Sequence, residues 1–239
     1  MSHYFQTPTE PAREHTIDVT IWGRHYSLTT SDGVFSMSRL DKGTAVLLNE
    51  LDPPNGLTEP AVSEEAVAAE PPAKHREPRT FFLDLGCGYG PICCALADHV
   101  PQARVIGVDV NDQAIRLANL NARRLGLADR LVAMRPEDVD PAQRFDEIWS
   151  NPPIRIGKAA LHEMLLTWFD HLTDAGVAHL VVGKNLGADS LARWLNEQGW
   201  PTQRVAISKV FRVFDVRHTG GPPPPVGTSR YGSPEPYCT

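Results

Sequence analysis

Long hydrophobic runs are missing from this sequence. No apolar stretch approaches the roughly 20 residues that span a bilayer, and no basic segment followed by an apolar core opens the chain. A cytoplasmic protein with no membrane contact is therefore expected. Cysteine is scarce: the four residues stand at 87, 93, 94 and 238. Two adjacent and one near the end suit neither a disulfide framework nor a zinc site, so no metal is expected. Positive charge is also short. With 23 Lys and Arg against 29 Asp and Glu, the formal net charge is −6. That excludes a broad basic surface for gripping nucleic acid and leaves only local contacts. No internal repeat is present, and the length allows one large core or one core with a small appendage. Oligomeric state is not legible.

What the chain does contain falls into four parts. Residues 1–52 hold an alternating segment, 16–30, with Ile17, Val19, Ile21, Tyr26 and Leu28 about Gly23, which reads as a β-hairpin. Asp41 then stands where it caps a short helix through Ala45–Leu48. Residues 53–79 are rich in Pro, Ala and Glu with almost no large apolar side chains, the composition of a disordered linker. The tail, 219–239, carries four consecutive prolines at 222–225 and reads the same way. Between them, 80–218 alternate strand and helix. Strands are expected at 81–85, 104–109, 131–135, 145–150, 177–182, 203–208 and 211–217, and helices at 90–99, 112–126, 158–173 and 188–199. That order predicts an α/β fold, a doubly wound, seven-stranded, mostly parallel sheet. The last two strands are too close in sequence for a parallel crossover, so the last strand should be antiparallel.

The first strand, Phe82-Leu83-Asp84-Leu85, runs into Gly86-Cys87-Gly88-Tyr89-Gly90-Pro91. Glycines there let backbone approach a ligand at the carboxyl end of the sheet. The spacing is G-x-G-x-G and not the G-x-G-x-x-G of dinucleotide sites, where a pyrophosphate meets a helix N-terminus. Asp84 would repel phosphate and suit an amino acid's ammonium. S-adenosylmethionine has that ammonium and no phosphate. The second strand ends in Asp109, placed to accept hydrogen bonds from two ribose hydroxyls; on its own it reads equally well as the cap of the next helix. After the third strand comes Asp138, placed either for an adenine amino group or for simple solvation and capping.

The segment Ser150-Asn151-Pro152-Pro153-Ile154-Arg155-Ile156-Gly157-Lys158 follows the apolar run 145–149. A bare Asn-Pro-Pro is more often a turn, but beside a glycine loop it suits methyl transfer to a planar nitrogen. Such a nitrogen is a poor nucleophile, its lone pair being delocalised. The Asn151 side-chain carbonyl and the Pro152 backbone carbonyl are two acceptors that grip an NH2 group and localise its electrons. No strong general base is then required.

With both halves in view the chain resembles the class I S-adenosylmethionine-dependent methyltransferases, with their Rossmann-like fold. It is similar in particular to the methyltransferase small domain family, which includes ribosomal RNA guanine-N2 methyltransferases. The resemblance covers about residues 3–217 apart from the linker. It rests on His3-Tyr4-Phe5, Thr30 to Ser36, Asp41-Lys42-Gly43-Thr44, Leu83 to Pro91 and Ser150 to Lys158. It implies that Asp84, Gly86, Cys87, Gly88, Gly90 and Asp109 hold the cofactor, with Phe35 and Thr44 closing from the N-terminal region, and that Asn151, Pro152, Pro153 and Ile154 hold the target amine. Many nitrogen methyltransferases carry Phe or Tyr after Asn-Pro-Pro. Ile154 offers apolar contact without a full stack, and Phe35 is a substitute ring. Relatives tend to have Gly where Val210 precedes Phe-Arg-Val, and better-known members carry a second, degenerate N-terminal copy of the domain that this sequence lacks.

Arg155, Lys158, Lys184, Lys209 and Arg212 fall at expected loops and strand ends, where they would form a small positive rim for RNA phosphates. His162 and His171 read as surface or helical histidines, and Trp168 and Trp194 as packing. Three functions remain open: methylation of an RNA base, guanine N2 ahead of adenine N6; methylation of a protein glutamine amide at N5, as release-factor enzymes do with a similar Asn-Pro-Pro; and a non-catalytic cofactor- and RNA-binding factor.

Overall fold

The protein is described by a computed structural model covering residues 13–34, 36, 38–54 and 80–219. Phe35, His3-Tyr4-Phe5, the expected linker beyond Pro54 and the expected tail beyond Thr219 lie outside the described residues.

Strands β1 (Glu14–Ile21) and β2 (Arg24–Ser31) form the expected hairpin. Trp22 and Gly23 make its two-residue turn, both with positive φ, at 47° and 77°. That is the turn whose twist matches an antiparallel pair. Helix α1 (Lys42–Glu50) starts at Asp41, whose carboxylate accepts from the Gly43 and Thr44 backbone N–H groups. The rest alternates as expected: β3 (Thr80–Leu85), α2 (Pro91–His99), β4 (Ala103–Val108), α3 (Asp112–Arg124), β5 (Leu131–Met134), β6 (Phe145–Ser150), α4 (Lys158–Phe169), β7 (Leu172–Gly183), α5 (Ala188–Glu197), β8 (Thr202–Ile207) and β9 (Phe211–Arg217).

The sheet order is β5-β4-β3-β6-β7-β9-β8. All pairs are parallel except those made by β9, which is inserted antiparallel between β7 and β8. Two neighbouring elements depart in extent, α4 and β7, the latter beginning at Leu172 and not at 177. Apolar spacing carried the third helix to residue 173, yet α4 stops at Phe169 and Leu172 already pairs with Phe145 as strand. Leu172 continues the helical period by coincidence; its burial comes from the sheet.

Alternate strand residues feed two apolar layers. Phe82, Trp149, Val181 and Val213 join the hairpin, α1, α2 and α3, whereas Leu83, Ile148, Leu180 and Phe214 join α4 and α5. The hairpin shares the first layer instead of standing apart. Buried Asn121 of α3 receives Thr29 N–H at 2.8 Å and donates to the Thr29 carbonyl at 2.9 Å and the Tyr89 carbonyl at 2.8 Å. One amide thus ties β2 to the glycine loop. Tyr26 OH donates to Asp98 at 2.8 Å, and Trp22 Nε1 to the Leu51 carbonyl at 2.8 Å. Helix α1 lies over β7 and β9 with Leu47 and Leu48 buried.

Under that layer sits a buried charge cluster. His179 Nδ1 is 2.7 Å from Asp215, and its Nε2 is 3.6 Å from Glu147, which accepts Trp149 Nε1–H at 2.8 Å. Burial opposes the imidazolium, but the two carboxylates outweigh it and raise His179 to about 9. A folded pKa above the unfolded value of about 6.5 contributes stability below that value and loses it as pH rises through the folded pKa. Unfolding free energy from urea titrations should therefore fall between pH 6.5 and 9, by on the order of 3 kcal/mol, and the slope should flatten in His179→Gln.

Candidate active site

The carboxyl ends of β5, β4, β3, β6 and β7 open onto one cavity of about 520 Å3. In sheet order its wall takes Pro136 after β5, Asp109 and Val110 after β4, the glycine loop after β3, Asn151 to Arg155 after β6, and Gly183 and Leu186 after β7. Asp41 and Thr44 reach it from the start of α1, and Phe211 from β9. This is the position where open α/β sheets bind ligands.

The glycine loop is closed by its neighbour strand. Gly86 and Cys87 N–H both donate to the Val108 carbonyl at 2.9 Å. Gly90, at φ 92°, precedes α2, and a side chain there would meet Ala118 Cβ at 3.1 Å. Glycine is thus required by both conformation and packing. Cys87 is buried on the cavity wall, and burial pushes its thiol well up, so it acts as a neutral apolar surface.

Asp109 accepts Gly88 N–H at 3.0 Å and Asn111 N–H at 2.9 Å. Burial raises its carboxyl, and these N–H groups pull it back toward ionisation. The helix-cap alternative for Asp109 falls to Asn111, whose side chain accepts Gln113 N–H and begins α3. Asp84 is placed differently from expectation: it does not line the cavity but lies fully buried under the loop. Its Oδ2 accepts Cys93 N–H at 3.0 Å at the start of α2, and burial pushes it up to about 7. Its Oδ1 has no partner among the described residues, nor does the buried Tyr89 hydroxyl on the cavity wall. The Gly86, Cys87 and Gly88 N–H groups are spent on Val108 and Asp109, so the loop keeps no cradle of N–H donors for a phosphate, which fits a phosphate-free ligand.

Asn151 is held from the N-terminal region. Its Nδ2 donates to Asp41 Oδ1 at 2.7 Å and to Thr44 Oγ1 at 3.1 Å, across 110 and 107 residues of sequence. Both amide hydrogens are spent, and the carbonyl oxygen is the free polar atom. Pro152 O already accepts Ile154 N–H at 2.8 Å, so one of its two lone pairs is committed to the turn. Pro153 and Ile154 line the cavity, and Ile154 packs against the second apolar layer.

Two expected site residues are elsewhere. Asp138 is exposed and off the cavity wall, because its short 3-10 turn brings Pro136 to the wall instead. Arg212 is buried at 9% exposure, and its Nη1 donates to the Ser208 and Phe211 carbonyls at 2.8 and 2.9 Å. It shapes the β8–β9 turn and not the rim. Arg155 lines the cavity, while Lys158 is exposed at the start of α4 and Lys184 and Lys209 are exposed on adjoining turns. Sequence reasoning missed Asp41, Tyr89, Val110, Pro136 and Phe211 as wall residues. Asp41 carried a signal, since a cap with a conformationally fixed carboxylate is also a fixed acceptor. Among the described residues no group of three or more His, Cys, Asp or Glu is placed to hold a metal, and no helix is long and apolar enough to cross a membrane.

Residues 72–215 match the methyltransferase small domain. The chain is 29% identical over 197 residues to the uncharacterized protein YbxB of Bacillus subtilis, covering 82% of this chain and 87% of that one. It is 29% identical over 215 residues to ribosomal RNA small subunit methyltransferase C of Ectopseudomonas mendocina, covering 84% of this chain but 57% of that one. Among solved structures, the T. thermophilus 16S rRNA N2 G1207 methyltransferase in complex with AdoMet and guanosine superposes with a TM-score of 0.68 at 22% identity, over 88% of this chain and 52% of that one. The chain thus spans little more than half the length of the named rRNA methyltransferases.

Proposed function

The chain belongs to the methyltransferase small domain family, and from that premise we propose that it transfers a methyl group from S-adenosylmethionine to the exocyclic N2 amine of a guanine in ribosomal RNA. The observation that carries this reading is the Asn151 carboxamide, with both N–H groups spent on Asp41 and Thr44 and its oxygen kept as an acceptor. An acceptor in that place grips an NH2 group, whereas the wall's two carboxylates, Asp41 and Asp109, are engaged by backbone N–H groups. RNA is supported by the ribosomal RNA methyltransferases, whose similarity runs over most of this chain. A release factor glutamine methyltransferase of Rhodopirellula baltica matches only 32% of this chain, at 37% identity.

In this reading Asp109 accepts from the ribose hydroxyls, and its own bonds to Gly88 and Asn111 N–H hold the carboxylate still. The glycine loop lies against the methionine portion, with the orphaned Asp84 Oδ1 favouring its positive charge and Tyr89 supplying an unspent hydroxyl. Bound there, S-adenosylmethionine supplies a sulfonium methyl as electrophile. Asn151 Oδ1 and the remaining lone pair of Pro152 O take the two N–H bonds of the amine, localise its lone pair and orient it. Pro136 and Val110 offer apolar contact to the adenine in place of Asp138. Ile154 and Phe211 flank the target base, and Arg155, Lys158, Lys184 and Lys209 draw in phosphates. The proton leaves to solvent.

The test is transfer of labelled methyl to total RNA and total protein from a strain deleted for the gene, read by nucleoside mass spectrometry. Label should appear in N2-methylguanosine. Label in N6-methyladenosine would reject guanine, label in protein would reject RNA, and label in neither, with cofactor bound, would reject catalysis.

A further inference from the structure

We propose that Asp41 is a positioning residue of the transfer reaction: its carboxylate holds the Asn151 carboxamide by the nitrogen and so commits the oxygen to the target amine. This rests on the reading of Asn151 given above. A carboxamide has nearly the same shape with oxygen and nitrogen exchanged, so packing alone does not choose which end faces a substrate. Charge does. An ionised carboxylate only accepts hydrogen bonds, and at 2.7 Å from Asp41 Oδ1 the group present must be the Asn151 NH2. Thr44 Oγ1 takes a second contact at 3.1 Å. The flipped amide would set its oxygen against the carboxylate and leave the reacting side with a donor, which repels the N–H bonds it is meant to accept.

The anchor is itself fixed. Asp41 Oδ1 accepts Gly43 N–H at 2.7 Å and Thr44 N–H at 3.2 Å, which pins it at the start of α1. Leu47 and Leu48 bury that helix over the sheet. Gly43 leaves room for the pair: a side-chain carbon there would stand 2.9 Å from Asn151 Oδ1 and 3.0 Å from Asp41 Oδ1. The N-terminal region therefore acts on the reaction through Asn151 as well as by walling the cavity.

Asp41→Ser keeps a side-chain acceptor for the helix cap but is too short to retain the bond to Asn151. In isotope-labelled protein, the Asn151 side-chain NH2 resonances, assigned by their loss in Asn151→Ala, should shift and exchange faster with water. In the labelled-methyl assay on RNA from the deletion strain, kcat should fall about 10²-fold, the scale of a small misplacement of a reacting group. Melting temperature and S-adenosylmethionine affinity should hold. Should Asp41→Ser not fold, Thr44→Val leaves the cap intact and should shift the same resonances with a smaller kcat loss. Unmoved resonances, or wild-type kcat in Asp41→Ser while Asn151→Ala is inactive, overturns the proposal alone. An active Asn151→Ala instead rejects the reading of Asn151, and the positioning role with it.

Discussion

Asn151→Ala is expected to lower kcat by at least about 10²–10³-fold, the cost of deleting one fixed polar contact to a reacting group, while S-adenosylmethionine affinity stays within a few-fold. The fold should survive. Asp41 Oδ1 loses one of its partners but keeps the Gly43 and Thr44 N–H groups, so the start of α1 remains capped. Asn151 is also half-buried, with no core packing to lose. Calorimetric titration and single-turnover methyl transfer separate the two quantities. Activity near wild type would remove Asn151 from the reaction.

The opposite split is expected of Asp109→Ala. Its carboxylate holds two backbone N–H groups, and removing it strands both in a buried place, at about 1–3 kcal/mol each. It also removes the acceptor proposed for the ribose. Cofactor affinity should fall by about 10²-fold or more, and turnover should recover toward wild type at saturating cofactor. Asp109→Asn, which keeps one acceptor oxygen, should lie between. A loss in affinity below about threefold would take the ribose away from Asp109.

Much of the fold was legible because its signals are local. β6 and β9 match their expected limits, 145–150 and 211–217, since apolar residues bounded by turns mark a strand wherever it lies in a sheet. Leu172 shows the limit of periodicity, as one residue satisfied both a helical and a strand pattern. The site was legible where motif and backbone coincide, as in the glycine loop and Asn-Pro-Pro, both on the cavity wall. It was not legible where a side chain chooses between solvent and a turn carbonyl. Arg212 sits near the mouth in sequence, but two carbonyls claim it. Asp138 missed the wall by two residues because the 3-10 turn rotates Pro136 inward. No spacing rule joins Asp41 to Asn151 across 110 residues.

The placement of α1 over β7 and β9 has a bearing on synthesis. Helix α1 leaves the ribosome well before β7 and β9, so Leu47 and Leu48 wait for that part of their cover through most of translation. Contacts that span the chain slow folding and expose intermediates to aggregation. The same delay is protective in one respect. Asp41 and Asn151 cannot meet in a nascent fragment that ends before β6, so a truncated chain holds no assembled transfer site.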